Sequence, residues 1–169
     1  KSKEAGESAL RSILKKHIVL RTSWVFSEFG ANFPKTILRL ASEKDKINIV
    51  ADQFGGPTSS KSIAKALCAI AQIYESKKDL DWGTYHFTQQ PHVSWYQFAE
   101  EIIRQAHEKN ALENIPVLKK ISTQDFPSVA KRPLDARLEC SAINETFGIS
   151  ASEWYSDVGD LIDACHHPR

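Results

Sequence analysis

Short runs rich in β-branched residues recur between longer stretches of helical spacing, and this alternation limits the chain more than any other feature. Lys3 to Lys16 carries Ala9, Leu10, Ile13 and Leu14 as an apolar stripe, which predicts a helix. His17 to Thr22 predicts a short buried strand, and Lys46 to Ala51 and Gly83 to Thr88 predict two more. Between them, a helix opening near Asn32 places Phe33, Ile37, Leu40 and Ala41 on one face, with Pro34 in its first turn. Ser60 to Ser76 predicts a long helix, with Ile63, Leu67, Ile70, Ala71 and Tyr74 at helical spacing. Helices alternating with strands in this way predict an α/β fold.

The second half continues the pattern with sharper punctuation. Ser94, with Gln97 three residues on and Val93 paired to Phe98, has the form of a capping box with a hydrophobic staple. Val117 to Ile121 predicts a strand, Ser122 to Pro133 an irregular segment, and Ser141 to Phe147 a short helix stopped by Gly148. A final helix, about Ser152 to Cys165, aligns Trp154, Val158, Leu161, Ile162 and Cys165. Gly55-Gly56-Pro57 is the densest glycine site and lacks the strand-turn-helix spacing that cradles a pyrophosphate.

Charge and cysteine usage narrow the partners. With 22 Lys and Arg against 21 Asp and Glu, no global field favours nucleic acid or an anionic membrane. No apolar run approaches a membrane span. Cys68, Cys140 and Cys165 form no Cys-x-x-Cys pair. Cys68 and Cys165 are expected on apolar helix faces, and reduced structural thiols suit a cytoplasmic protein. His166-His167 offers a frayed pair with no third ligand, so no metal site is predicted.

Three blocks carry chemistry jointly: Arg21-Thr22-Ser23-Trp24, then Asp52-Gln53-Phe54-Gly55-Gly56-Pro57-Thr58, then Arg132-Pro133-Leu134-Asp135-Ala136-Arg137-Leu138. In this order they resemble the dTDP-4-dehydrorhamnose reductase family of the extended short-chain dehydrogenase/reductase superfamily, from Lys3 to about Leu161. Lys3-Glu4-Ala5-Gly6-Glu7 resembles the continuation of that superfamily's Tyr-x-x-x-Lys motif, which makes Lys3 the catalytic lysine and sets the tyrosine before Lys1. The resemblance therefore implies the C-terminal portion of a reductase. Residues 1–30 would be the tail of the dinucleotide-binding Rossmann-type domain. Residues 31–169 would be mostly a smaller mixed α/β substrate-binding domain, with some elements returning to the Rossmann sheet.

The resemblance also implies the roles. The parent enzyme would reduce the C4 ketone of dTDP-4-dehydro-6-deoxy-L-mannose with NADPH or NADH to dTDP-L-rhamnose, a polysaccharide precursor, while this chain alone would be inactive. Lys3 and Thr22 would meet the cofactor. Trp24, Asn32, Gln53, Arg132 and Arg137 would meet the dTDP-sugar, Trp24 by stacking on the hexose and the arginines at the diphosphate. Arg21 is left a structural role, and Ser94-Trp95-Tyr96 is better explained by capping and packing. Each residue also has an ordinary reading, Asn32 as a helix N-cap and Trp24 as a core residue. Related reductases commonly have Glu where Lys61 stands, and an ammonium cannot ligate Mg²⁺, so a Mg²⁺-bridged dimer is not expected. Two alternatives stay open. One is another nucleotide-sugar reductase or epimerase. The other is a non-catalytic relative such as the methionine adenosyltransferase regulatory subunit, whose Arg-Pro-x-x-Ala-x-Leu-x-Cys-Ser run Arg132 to Ser141 also matches.

Overall fold

A computed structural model describes residues 2–126 and 132–166. Its elements run α1 (Ser2–Ile13), β1 (Ile18–Arg21), β2 (Val25–Phe26), α2 (Phe33–Glu43), β3 (Lys46–Val50), β4 (Phe54–Gly55) and β5 (Thr58–Ser59). They continue with α3 (Ser60–Lys77), β6 (Gly83–His86), β7 (Val93–Ser94), α4 (Trp95–Glu108), β8 (Val117–Ile121), β9 (Asp135–Ala136), α5 (Ser141–Phe147) and α6 (Tyr155–His166). A single turn of 3₁₀ helix spans Thr123–Asp125.

The strands pair across long stretches of sequence. β1 lies parallel to β6, β2 to β5, and β3 to β8, while β4 sits between antiparallel β7 and parallel β9. Parallel pairing needs crossovers, and the helices supply them. Two apolar cores result. The larger gathers Phe26, Ile37, Phe98, Ile102, Trp154 and Val158 where α2, α4 and α6 meet β3. The smaller gathers Ala66, Ile70, Tyr85, Phe87 and Ile143 between β6, α3 and α5.

A polar hub ties the α3 region to α6. The Asp157 carboxylate accepts from Ser59 Oγ at 2.7 Å, Ser62 Oγ at 3.1 Å and Gln89 Nε2 at 2.8 Å. Gln89 is fully buried, and its Oε1 accepts from the Ser59 amide, so both ends of its amide are satisfied. Lys61 reaches across the same junction to Asp160 at 2.8 Å.

Several expectations are corrected by partners that lie far off in sequence. α1 ends at Ile13, and none of its residues is buried; Ile13 is 78% exposed and Leu14 48%. The stripe exists, but among the described residues only Leu10 of it is partly covered. β1 is half-buried along its whole length, where a buried strand was expected, because β6 is its one partner among the described residues. On α3 the buried face is Ser62, Ala66 and Ile70, so Leu67 and Tyr74 point outward. Cys68 and Cys165 are exposed rather than set on apolar faces, and Cys140 is intermediate. The last helix starts at Tyr155, since Trp154 is core and its Nε1 donates to the Pro91 carbonyl at 2.9 Å. His167 lies outside the described residues.

Candidate ligand site at the strand ends

β1 runs out into Thr22-Ser23-Trp24, and in open α/β sheets ligands bind beyond the carboxyl ends of strands. The Thr22 hydroxyl is buried with no hydrogen-bond partner, the one such side-chain atom among the described residues. An orphaned buried hydroxyl costs about 1–3 kcal/mol, so its retention points to a ligand. Ser23 hooks this segment to the glycine loop: its Oγ donates to the Gly56 carbonyl at 3.1 Å and accepts from the Gly56 amide at 3.3 Å.

Trp24 has a left-handed backbone, φ 46°, a region that bulky side chains rarely enter. Its carbonyl accepts from the Thr58 amide at 3.2 Å. Its indole stacks on Trp95, with centroids 3.5 Å apart and planes 11° apart. Gly55 abuts the same indole so closely that a Cβ there would sit 2.5 Å from Cε2. Trp24 is half-buried, and its indole N–H has no hydrogen-bond partner among the described residues.

Gln53 is buried and used within the protein. Its Oε1 accepts from Trp95 Nε1 at 3.3 Å and its Nε2 donates to Thr123 Oγ1 at 3.1 Å. Thr123 donates in turn to Asp52, from its hydroxyl at 2.7 Å and from its amide at 2.9 and 3.0 Å. These donors, the hydroxyl foremost, hold the Asp52 carboxyl below its ordinary pKa.

Phe54 and Gly55 alternate across the pleat, so the Phe54 ring lies on the side away from Trp24. Arg137 sits over that ring at 5.8 Å and pairs with Asp135, Nε to Oδ1 at 2.9 Å and Nη2 to Oδ2 at 2.7 Å. This pairing pushes the Asp135 carboxyl down to about 2. His92 lies beside Thr88, Nε2 to Oγ1 at 3.2 Å, and burial followed by the Arg137 charge lowers its pKa. Arg132 is exposed and has no ion-pair partner among the described residues.

The remaining residues lie apart from this cluster. Asn32 is the N-cap of α2: Oδ1 accepts from the Lys35 amide at 3.2 Å and Nδ2 donates to the Ser27 carbonyl at 2.6 Å, so both ends of its side chain are engaged. Lys3 is exposed on α1 with no partner among the described residues. One turn on, Glu7 bonds Arg21 at 2.6 Å, which ties α1 to the end of β1. Arg21 thus has the structural role expected of it. Among the described residues no three His, Cys, Asp or Glu side chains converge on a metal position. No helix among them is long and apolar enough to cross a membrane.

Trp24, Gln53 and the glycine loop meet around Trp95, which packs as expected, while Thr123 was not anticipated. The only local signal for Trp95 was its place beside a cap, which explains the helix start and says nothing of Trp24.

Parallel strand pairs with polar and aromatic groups gathered past their carboxyl ends define an α/β ligand-binding domain. More particularly, the chain belongs to the RmlD substrate binding domain family, whose model matches residues 1–167. A dTDP-4-dehydrorhamnose reductase of Aggregatibacter actinomycetemcomitans is 47% identical over 154 residues, 91% of this chain and 52% of that protein. The solved structure of a dTDP-4-dehydrorhamnose reductase ortholog from Clostridium acetobutylicum superposes with a TM-score of 0.82 at 30% identity, covering 98% of this chain and 54% of that one. One from Bacillus anthracis, in complex with NADP, gives 0.76 at 28% identity, covering 95% and 52%. The chain spans about half the length of the curated relatives it matches.

Proposed function

We propose that this chain is the substrate-binding portion of an NADPH-dependent oxidoreductase that reduces the C4 ketone of dTDP-4-dehydro-6-deoxy-L-mannose to dTDP-L-rhamnose. The observation that carries the reading beyond family membership is the buried, unpartnered Thr22 hydroxyl at the carboxyl end of β1. A nicotinamide carboxamide has both a donor and an acceptor to offer it, so the residues present fit the cofactor. When bound, NADPH supplies the hydride. Lys3 offers an exposed ammonium, unengaged among the described residues, for the cofactor ribose and for lowering the pKa of a neighbouring tyrosine acid. The relatives are twice as long, so residues 1–30 are assigned to the dinucleotide-binding domain and 31–169 mostly to the substrate domain, with β6 returning to β1. Among the described residues the α1 stripe is mostly exposed and β1 has one partner, which suits packing against a further part of the length that the relatives have.

The sugar end is assigned to the Trp24 side of β4, and the diphosphate end to Arg132 and Arg137 on the other. Arg137 would trade Asp135 for phosphate, a bidentate exchange that suits guanidinium. Gln53 and Asn32 support the pocket, since their side chains are already engaged. The product feeds polysaccharide synthesis, and a cytoplasmic setting fits the free thiols and the cofactor. Lys61, held by Asp160, is no Mg²⁺ ligand, so association is assigned no metal bridge.

The test is NADPH oxidation by the full-length protein with the dTDP-4-keto sugar, compared with Lys3→Ala. Loss of the lysine should cut turnover on the order of 10²-fold or more while leaving the melting temperature unchanged. Epimerisation without net NADPH oxidation, or no turnover at all, would replace this reading with one of its relatives.

A further inference from the structure

Four side chains form a hydrogen-bonded chain that has only one possible direction. A carboxylate only accepts, so the Thr123 hydroxyl must donate to Asp52 at 2.7 Å. That leaves the hydroxyl lone pairs to accept from Gln53 Nε2 at 3.1 Å, which turns Gln53 Oε1 toward Trp95 Nε1 at 3.3 Å. The Trp95 amide also donates to the Gln53 carbonyl at 3.3 Å, so main chain and side chain of Gln53 grip the same residue. Trp95 then lies flat against Trp24, with Phe33 against its own ring at a centroid distance of 4.4 Å.

The end of this chain is the strained residue. Trp24 holds φ 46°, and such a conformation persists only where its surroundings over-determine it. Gly55 supplies one restraint by coming so close that no Cβ fits. The stack on Trp95 supplies the other.

We propose that Asp52, Thr123, Gln53 and Trp95 are positioning residues that together set the plane of the Trp24 indole. Thr123 is the decisive member, because it alone joins the carboxylate to the amide. Asp52 and Gln53 act through Trp95 and do not touch the sugar. The kinetic consequence rests on the sugar-nucleotide reading given above; the structural consequence does not.

The chain has four tryptophans, and each indole N–H gives its own amide-region NMR signal. Trp82 Nε1 bonds Asp79 and its ring meets Tyr74, outside the Trp24–Trp95 cluster, so it serves as the internal control. Thr123→Val keeps the shape and removes the hydroxyl. The Trp95 and Trp24 signals should both shift, Trp82 should stay, and Thr123→Ser should restore both. Gln53→Met breaks the same chain from the other side and should move the same two signals, which keeps the test decisive if Thr123→Val folds poorly. A Trp24 signal that stays put in a folded variant overturns the proposal, whether or not Trp95 moves. In the full-length enzyme, Thr123→Val should lower kcat/KM for the sugar nucleotide about fivefold with the NADPH KM unchanged, and Thr123→Ser should recover it. Unchanged kinetics beside a shifted Trp24 signal would overturn the functional role. If Trp24→Ala also leaves sugar use unchanged, the failure lies in the sugar assignment to Trp24 instead.

Discussion

Gly55→Ala is a one-carbon perturbation whose sign the structure decides. At a strand position with ordinary φ, replacing Gly by Ala stabilises by about 0.4–1 kcal/mol, because the unfolded chain has less freedom to lose. Here the added Cβ would meet Trp24 at 2.5, 2.7 and 2.9 Å, from Cε2, Nε1 and Cδ2. Ordinary contact is about 3.5–4 Å, so the indole must retreat by about an ångström. That retreat disturbs the stack on Trp95, whose rings are 3.5 Å apart and whose indole N–H is held by Gln53. Overpacking of this kind costs about 1–3 kcal/mol, which outweighs the entropic gain. Urea denaturation should show a net loss of about 1–2 kcal/mol, and the melting temperature should fall by about 2–4 °C for each kcal/mol. The control is the same change in a Trp24→Ala background. There the clash is gone, so Gly55→Ala should turn neutral or stabilising, and the cycle should show coupling above 1 kcal/mol. Equal destabilisation in both backgrounds would refute the argument and place the cost in the backbone.

Ser94→Ala removes a buried cap whose Oγ accepts from the Gln97 amide at 3.1 Å, and should cost about 0.5–2 kcal/mol in chemical denaturation. The Asp135 carboxyl, held at about 2 by Arg137, has a depressed folded-state pKa, so its contribution to stability is complete above the ordinary carboxylate range and is lost as pH falls toward 2. NMR titration should show this, and Arg137→Ala should raise it toward the ordinary value, while the amide hydrogen bond from residue 137 keeps part of the depression. Arg21→Ala should free α1, since Glu7 ties it to β1 and no residue of α1 is buried; hydrogen exchange of the α1 amides should rise while that of α4 stays slow. Trp24→Ala in the full-length enzyme should weaken sugar-nucleotide use, with about 0.5–1.5 kcal/mol lost for the ring contact and NADPH binding spared. Parallel loss of both ligands with a lowered melting temperature would return Trp24 to the core.

Local signals were the legible ones. Ser94 and Gln97 announce α4 because a capping box is closed within four residues, and the observed box matches it. Pro34 and Asn32 announce α2 for the same reason. The Asp52 to Thr58 block, with its dense Gly55-Gly56-Pro57 site, carried no strand expectation. Within it and at its end lie β4 and β5, whose partners are Val93–Ser94, Asp135–Ala136 and Val25–Phe26, and no local pattern encodes a pairing so far off. The α1 stripe was read correctly as apolar, but apolar periodicity does not say whether a cover is at hand. For the site, Thr22, Trp24 and Gln53 were picked out from motif blocks. The roles of Gln53 and Asn32 changed once their partners were visible, because a side chain's vacancy is a property of space rather than of sequence. Thr123 lies 71 positions from Asp52 and had no signal at all.

The Asp157 hub has a consequence for the order in which the protein is made. Ser59 and Ser62 leave the ribosome long before the carboxylate that accepts from both hydroxyls, which is 98 positions beyond Ser59. Until it arrives, closing the junction would bury two hydroxyls without that acceptor. The junction around α3 is therefore expected to close only once α6 is available. An arrested chain that stops short of Asp157 should remain protease-sensitive around 59–62, and one extended beyond it should close.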